Sequence, residues 1–405
     1  MTDSTGMLNI QPIHPFPARM APSIVWENLP DSSRPLRILD PMVGSGTTMV
    51  ITKARGHQAI GCDTDPLAVM ITRAWCADVA PERLTGLAAS ILNSAIAEAI
   101  HLCPETAYPR GADHQTKKFI DFWFDEANRI ELTALSNCIS QVENPDERNL
   151  LMTAFSRLII TKKLGVSLAM DVSHSRPHRK YDKAPVTPFN KFLHAVDYIA
   201  RKAPFRTNNP AVSPAEVIKS DARSMPIDNA SIDLIITSPP YLNAIDYIRG
   251  HKLSLVWMGQ SIDGLRKIRS SNIGAENSLP TTELIEFSKI LPQIGNITSL
   301  KPYYRKMITR YLLDMGATIA ECRRVIRDGG RAILVIGNSA IHDVHIKNSE
   351  ALTLLAQNRG FRLESTICRP IPESRRYLPP PNTEASGERL KNRMREEVIL
   401  TLTTI

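Results

Sequence analysis

Short apolar runs that end in turn-forming residues recur along the chain, separated by stretches with helical apolar spacing. The run Asp233-Leu234-Ile235-Ile236 predicts a short buried strand, because a brief apolar run bounded by turn formers suits the interior of a parallel sheet. Ile38-Leu39-Asp40 predicts another strand, followed by a glycine turn through Gly44 and Gly46 and an apolar-periodic helix from Thr47. Ala59 to Asp63 predicts the next. Val217-Ile218-Lys219-Ser220 leads from a further strand into Asp221, Arg331 to Asn338 reads as a buried strand, and Glu397 to Leu402 as a last one. Asp246 to Arg249 leads into a helix, and Glu321 to Gly330 reads as a helix ending in a glycine stop.

In an open α/β sheet, ligands bind outside the carboxyl ends of the strands, so the residues there are the candidates for chemistry. After Ile235 and Ile236 comes Thr237-Ser238-Pro239-Pro240-Tyr241. Two consecutive prolines fix φ and remove backbone donors, so this turn presents the Ser238 and Pro239 carbonyls and Ser238 Oγ without competing N–H groups. Such acceptors suit an exocyclic amine on a nucleobase, whose lone pair is delocalised into the ring. Hydrogen bonds from both N–H groups into a rigid turn favour the tetrahedral nitrogen that forms only as the methyl group arrives. Tyr241 offers a face on which an extruded base can stack. A proline pair can also simply end a strand, and the glycine turn after Asp40 decides between these readings.

Around that turn, Gly44 and Gly46 let a ligand approach the backbone, while the amide dipoles of the following helix start favour a carboxylate. Asp63, near the end of the next strand, stands at the spacing of a ribose-binding acid. No Gly-Lys-Ser/Thr follows, which argues against a nucleoside-triphosphate loop. Asp65 before Pro66 reads as a helix N-cap.

The string TSPPY resembles the fourth motif of the DNA amino-methyltransferases, DPMVGSGTT their first motif and GCDTDP their second. His14-Pro15-Phe16-Pro17-Ala18-Arg19-Met20 is similar to the tenth motif, Asp221 with its strand to the third, and the segment from Asp246 to the fifth. The resemblance covers about residues 10 to 75 and 215 to 402. It implies a Rossmann-like class I methyltransferase fold: α/β, a seven-stranded mostly parallel sheet with an antiparallel edge strand, and a helical insertion. It also implies S-adenosylmethionine as cofactor, bound by His14, Pro15, Asp40, Gly44, Gly46, Thr47, Asp63 and Asp221. In that reading Asp40 lies by the cofactor's amino group, Asp63 takes the ribose hydroxyls and Asp221 contacts the adenine end. Ser238, Pro239, Pro240 and Tyr241 are then the catalytic residues. Serine at the first place of the motif points to the N4 of cytosine in duplex DNA. The N6 of adenine is the nearest alternative, with an RNA methyltransferase or a non-catalytic DNA-binding protein further off.

Residues 80–206 interrupt the catalytic domain of 1–79 and 207–405 and are rich in helix formers, with Phe119, Phe122, Trp123 and Phe124 expected in a core. Between residues 162 and 206 ten bases face three acids, net +7, in a chain of formal charge +8. A charge run is usually a solvated face. This one includes Arg176, Arg179 and Lys180 beside serine hydroxyls, donors suited to phosphate oxygens, so DNA contact is expected there. A second polar stretch, 259–303, carries Arg266, Lys267 and Arg269 and is a further candidate for DNA contact.

The chain has 405 residues, 43% of them hydrophobic, enough for a sizeable core. No run of about 18 apolar residues and no amino-terminal signal appear, so no membrane partner and a cytoplasmic location are expected. Six scattered cysteines and the isolated pair His342 and His345 suggest neither a metal site nor disulfides, and the two histidines read as a surface loop. A host-protecting role alongside a cognate restriction endonuclease is what the resemblance implies.

Overall fold

The computed structural model describes residues 10–17, 19–202, 214–242, 246–274, 284–341, 344–371 and 396–405. His342, Arg206 and Ala18 lie outside the described residues. The main sheet has seven strands: β1 (Arg37–Asp40), β2 (Gln58–Asp63), β3 (Glu216–Lys219), β4 (Ile232–Thr237), β5 (Ile326–Ile336), β6 (Phe361–Pro370) and β7 (Glu396–Thr404). Their order is β3-β2-β1-β4-β5-β7-β6. All neighbours run parallel except β7, which is antiparallel to both β5 and β6.

Leu39 and Ile235 bury on one face of the sheet, Ile38, Leu234 and Ile236 on the other. Helices cover both faces, which is why these strands read as continuous apolar runs. On the amino-terminal side of the chain these are α1 (Pro22–Asn28), α2 (Thr47–Ala54) and α3 (Pro66–Cys76). The interrupting segment adds α4 (Pro81–Ala99), α5 (His114–Trp123), α6 (Glu126–Ser140), α7 (Pro145–Ile159) and α8 (Pro188–Lys202). After β4 follow α9 (Tyr247–Leu255), α10 (Ile262–Ser271), α11 (Leu284–Ile294), α12 (Pro302–Val325) and α13 (Asn348–Gln357). One apolar cluster runs from Phe16, Met49 and Val217 on the sheet side to Leu135, Phe155 and Phe192 in the inserted helices, so the insertion packs directly on the sheet layer.

Two sequence expectations need correction. The helix expected to run to Gly330 ends at Val325, and residues Ile326 to Gly330 belong to β5. Gly329 takes φ +72 there, and the β4–β5 register shifts between Ile232 and Leu234, so the glycine pair shapes an irregular strand entry rather than a helix stop. Of the aromatic residues expected in the core, Phe124 is buried, but Phe122 is 49% exposed. His345 is exposed on a short strand, Val344–Ile346.

Candidate active site

Register fixes what the carboxyl edge brings together. Ile38 pairs with Leu234 and Leu39 with Ile235, so Asp40 and the end of β4 leave adjacent strands side by side. Asp40 also pairs with Gly61, two residues before Asp63 closes β2. The chain turns one way from β1 to β2 and β3 and the other way through β4 and β5. The glycine turn and Ser238-Pro239-Pro240-Tyr241 therefore emerge where the sheet order reverses.

The glycine turn is held by its own backbone, by β2 and by the Asp40 carboxylate. Val43 N–H donates to Cys62 O at 2.9 Å, Gly46 N–H to Val43 O at 2.8 Å, and Met42 N–H to Asp40 Oδ1 at 3.1 Å. Gly46 sits at φ +88 as the N-cap of α2, and a Cβ there would stand 2.8 Å from Thr72 Oγ1 on α3. Gly44, at φ +48, faces the ring of Phe16, which a Cβ would meet at 3.5 Å. Thr47 opens α2, buried, with its hydroxyl 3.2 Å from Ser45 Oγ.

Asp63 Oδ2 accepts from Gly44 N–H at 2.9 Å and its Oδ1 from Asp65 N–H at 2.9 Å, leaving lone pairs unused among the described residues. Burial, and then the charge of Asp65, push its carboxyl up to about 7. Asp40 is raised to about 6 by burial, against the nearby Thr237 and Thr48 hydroxyls and Met42 N–H, which favour the ionised form. Neither threonine hydroxyl makes an aligned hydrogen bond among the described residues. Asp65 caps α3 through Leu67 N–H at 2.9 Å, and its other oxygen lies 2.5 Å from His251 Nδ1 on α9.

The acceptor turn is sparser. Ser238 Oγ and the Tyr241 hydroxyl are 3.4 Å apart. Burial pushes Tyr241 up to about 12, against the Ser238 hydrogen bond. Tyr311 of α12 packs in the cluster against which Tyr241 rests, and its buried hydroxyl has no hydrogen-bond partner among the described residues.

The amino-terminal strap, a loop as expected, packs on the core with Ile13, His14 and Phe16 buried and Pro15 half-buried between them. His14 is fully enclosed. Its Nε2 lies 3.0 Å from Ser156 Oγ on α7, and burial together with Arg157 holds its pKa well below the ordinary value. Phe16 is what reaches the glycine turn, its ring also stacked 5.5 Å from Tyr247 and tilted against His251 at 4.9 Å. Sequence reasoning passed over Phe16, Tyr247 and His251. The i, i+4 spacing of the last two was a signal that they share a helix face, but not which face.

Asp221 follows β3, whose last residue Lys219 pairs with Asp63. Its carboxylate is engaged by Arg223, with Nη2 at 2.6 Å and Nε at 3.0 Å. Although burial acts the other way, Arg223 holds Asp221 below the usual carboxylate range. Arg223 continues to Asp314 at 2.6 Å, tying this turn to α12.

Arg176, Arg179 and Lys180 are exposed in the segment that follows Val172 to His174, a loop in which Arg179 belongs to a two-residue strand, His178–Arg179, paired with Ala169–Met170. This loop docks on α9: Ser175 Oγ lies 3.3 Å from Tyr247 O, and a Cβ on Gly250 would approach Val172 O to 2.6 Å. The basic loop thus rests on the helix that follows the acceptor turn.

No protein-family model matches the chain. It is 25% identical to Type II methyltransferase M.MvaI of Kocuria varians, across 96% of this chain and 90% of that protein. It is 22% identical to Type II methyltransferase M.BsoBI of Geobacillus stearothermophilus, over 76% of this chain and 58% of that one. With Type II methyltransferase M.AvaI of Anabaena variabilis it shares 26% identity over 34% of this chain and 32% of that one. These relatives agree with the amino-methyltransferase resemblance that the motifs carry, on a sheet of the kind that resemblance implies.

Proposed function

We propose that this protein transfers the methyl group of S-adenosylmethionine to the exocyclic N4 of cytosine in duplex DNA. One observation carries the reading: the glycine turn after Asp40 and the Ser238 turn leave adjacent strands at the point where sheet order reverses.

The residues present fit the cofactor. Gly44 and Gly46 hold positive φ where a side chain would strain the backbone, and Asp63 keeps acceptor capacity beyond its two backbone hydrogen bonds. Asp40 would face the amino group, Asp63 the ribose hydroxyls and Asp221 the adenine end. His14, turned toward Ser156, would act by fixing the strap that carries Pro15 and Phe16. When bound, S-adenosylmethionine supplies a methyl group activated by its sulfonium.

The target cytosine leaves the base stack at a cost of a few kcal/mol and stacks on Tyr241. Ser238 Oγ and the Ser238 and Pro239 carbonyls accept its amino hydrogens, which favours a tetrahedral nitrogen. The turn's prolines keep these acceptors from relaxing. Once methylated, the nitrogen is acidic and gives its proton to solvent, so positioning and fixed dipoles do most of the work. Arg176, Arg179 and Lys180, in the 80–206 insertion, would contact DNA phosphates from the loop docked on α9. A cognate restriction endonuclease is the partner such a modification activity implies.

Serine rather than Asp or Asn at position 238 favours cytosine over adenine. Incubating the purified protein with S-adenosylmethionine and unmodified plasmid DNA, then digesting the DNA and resolving nucleosides by mass spectrometry, tests this. N4-methylcytosine is expected. N6-methyladenine would move the acceptor to the other base, and no transfer to DNA would overturn the reading.

A further inference from the structure

The basic loop does not carry the strongest concentration of cations beside the site. Arg179 lines a surface groove of about 470 Å³ whose walls include Glu105, Asp121, Asp125, Glu126 and Asp182. Acids therefore surround it.

A different arrangement stands between α9 and α10. Asp246 draws both helices together, with Arg269 Nε 2.7 Å and Arg249 Nε 3.7 Å from its Oδ2. Lys252 lies one helical turn after Arg249 and so on the same face. Its ammonium stands 5.3 Å from the centre of the Phe119 ring on α5. Burial, and the Arg269, Arg266 and Arg249 charges acting against Asp246, hold Lys252 below its ordinary range. Arg266 pairs with the exposed Asp263, at 3.1 Å. Among the described residues, four cations of this cluster thus face the carboxylates of Asp246 and Asp263, and the side chains of Arg249, Arg266 and Arg269 are 55%, 62% and 58% exposed.

Their place in the fold is specific. α9 begins just after the acceptor turn, and Asn272, the C-cap of α10, accepts from Thr64 Oγ1 at 3.3 Å, next to Asp63. The cluster therefore flanks both halves of the site without entering it. An excess of half-exposed guanidiniums around a half-buried ammonium suits a ligand with several anionic oxygens, and a nucleic-acid backbone offers these in series.

We propose that Arg249, Lys252, Arg266 and Arg269 form a phosphate-binding subsite for the DNA backbone beside the extruded nucleotide, an assignment that rests on the DNA reading above. The experiment measures the affinity of the full chain for a labelled random-sequence duplex across a salt series, since such binding is almost wholly counterion release. Lys252→Gln with Arg269→Gln should lower the slope of log Kd against log salt by about 0.9 for each phosphate that is no longer neutralised. S-adenosylhomocysteine affinity should stay at the wild-type value. Because Lys252 packs on Phe119, Arg249→Gln with Arg266→Gln serves as an independent pair of exposed substitutions and should give the same change. A wild-type slope retained in both variants overturns the subsite alone, leaving the methyltransferase reading in place. A wild type that binds no duplex in a salt-dependent way overturns both.

Discussion

The two turns that leave β1 and β4 sit side by side, yet they are built differently. Around the glycine turn, Val43, Gly44 and Gly46 N–H groups and the Asp40 and Asp63 carboxylates are already joined by hydrogen bonds of 2.8 to 3.1 Å. At the acceptor turn the Ser238 and Tyr241 hydroxyls are 3.4 Å apart, while the buried Tyr311 hydroxyl has no hydrogen-bond partner among the described residues. Buried polar groups without partners are uncommon enough to need a reason. The difference fits a division of labour. On the proposed reading, the cofactor side is formed in advance, and the acceptor side keeps capacity that a substrate amine would fill during transfer.

Removing one acceptor breaks this comparison most sharply. Ser238→Ala should lower kcat about 100-fold, roughly 2.7 kcal/mol, as losing one preorganised group at a reacting centre does. S-adenosylhomocysteine binding, followed by calorimetry, should hold. Equal losses in kcat and cofactor affinity would mean that the two turns act as one unit.

A smaller effect falls on the other side. Gly46→Ala places a Cβ at φ +88, 3.2 Å from the Thr72 Cα and 2.8 Å from its hydroxyl. The left-handed conformation alone costs about 1–2 kcal/mol. The thermal midpoint should drop by several degrees, with cofactor affinity falling alongside it. A midpoint equal to wild type would show that α2 and α3 are not held apart by this glycine.

How much of this was legible in the chain follows from what each element buries. β1, β2, β4 and the core of β5 are covered on both faces, so their apolar runs stood out, and with them the position of Asp40, Asp63 and Ser238 at one sheet edge. β6 is mostly exposed and keeps no regular alternation beyond its first four residues, so residue patterning did not announce it. The same limit hid the partners of named residues. Arg223 stands only two residues from Asp221, but nothing local says that it also reaches Asp314, and nothing near His14 points to Ser156, because these two contacts cross long stretches of sequence. Arg266 and Arg269 stand close together in sequence, but that they join Arg249 and Lys252 shows only when Asp246 draws the two helices together.

The smallest predicted effect sharpens the comparison through protons. Asp63 is raised to about 7 and Asp40 to about 6, both mainly by burial, so the folded apo protein holds these protons more tightly than the unfolded chain. Their contribution to stability is fully present below the ordinary carboxylate range and is lost as pH rises through about 6 to 7. Cofactor binding should run the opposite way, because hydroxyl donors favour an ionised Asp63. S-adenosylhomocysteine affinity should weaken as pH falls below about 7, approaching tenfold per pH unit if one proton must be released. Asp63→Asn cannot titrate and should bind more weakly at neutral pH with a flatter profile. If calorimetry across this range gave parallel profiles for wild type and variant, the carboxylate that Gly44 and Asp65 hold in place would not be the group that takes the ribose.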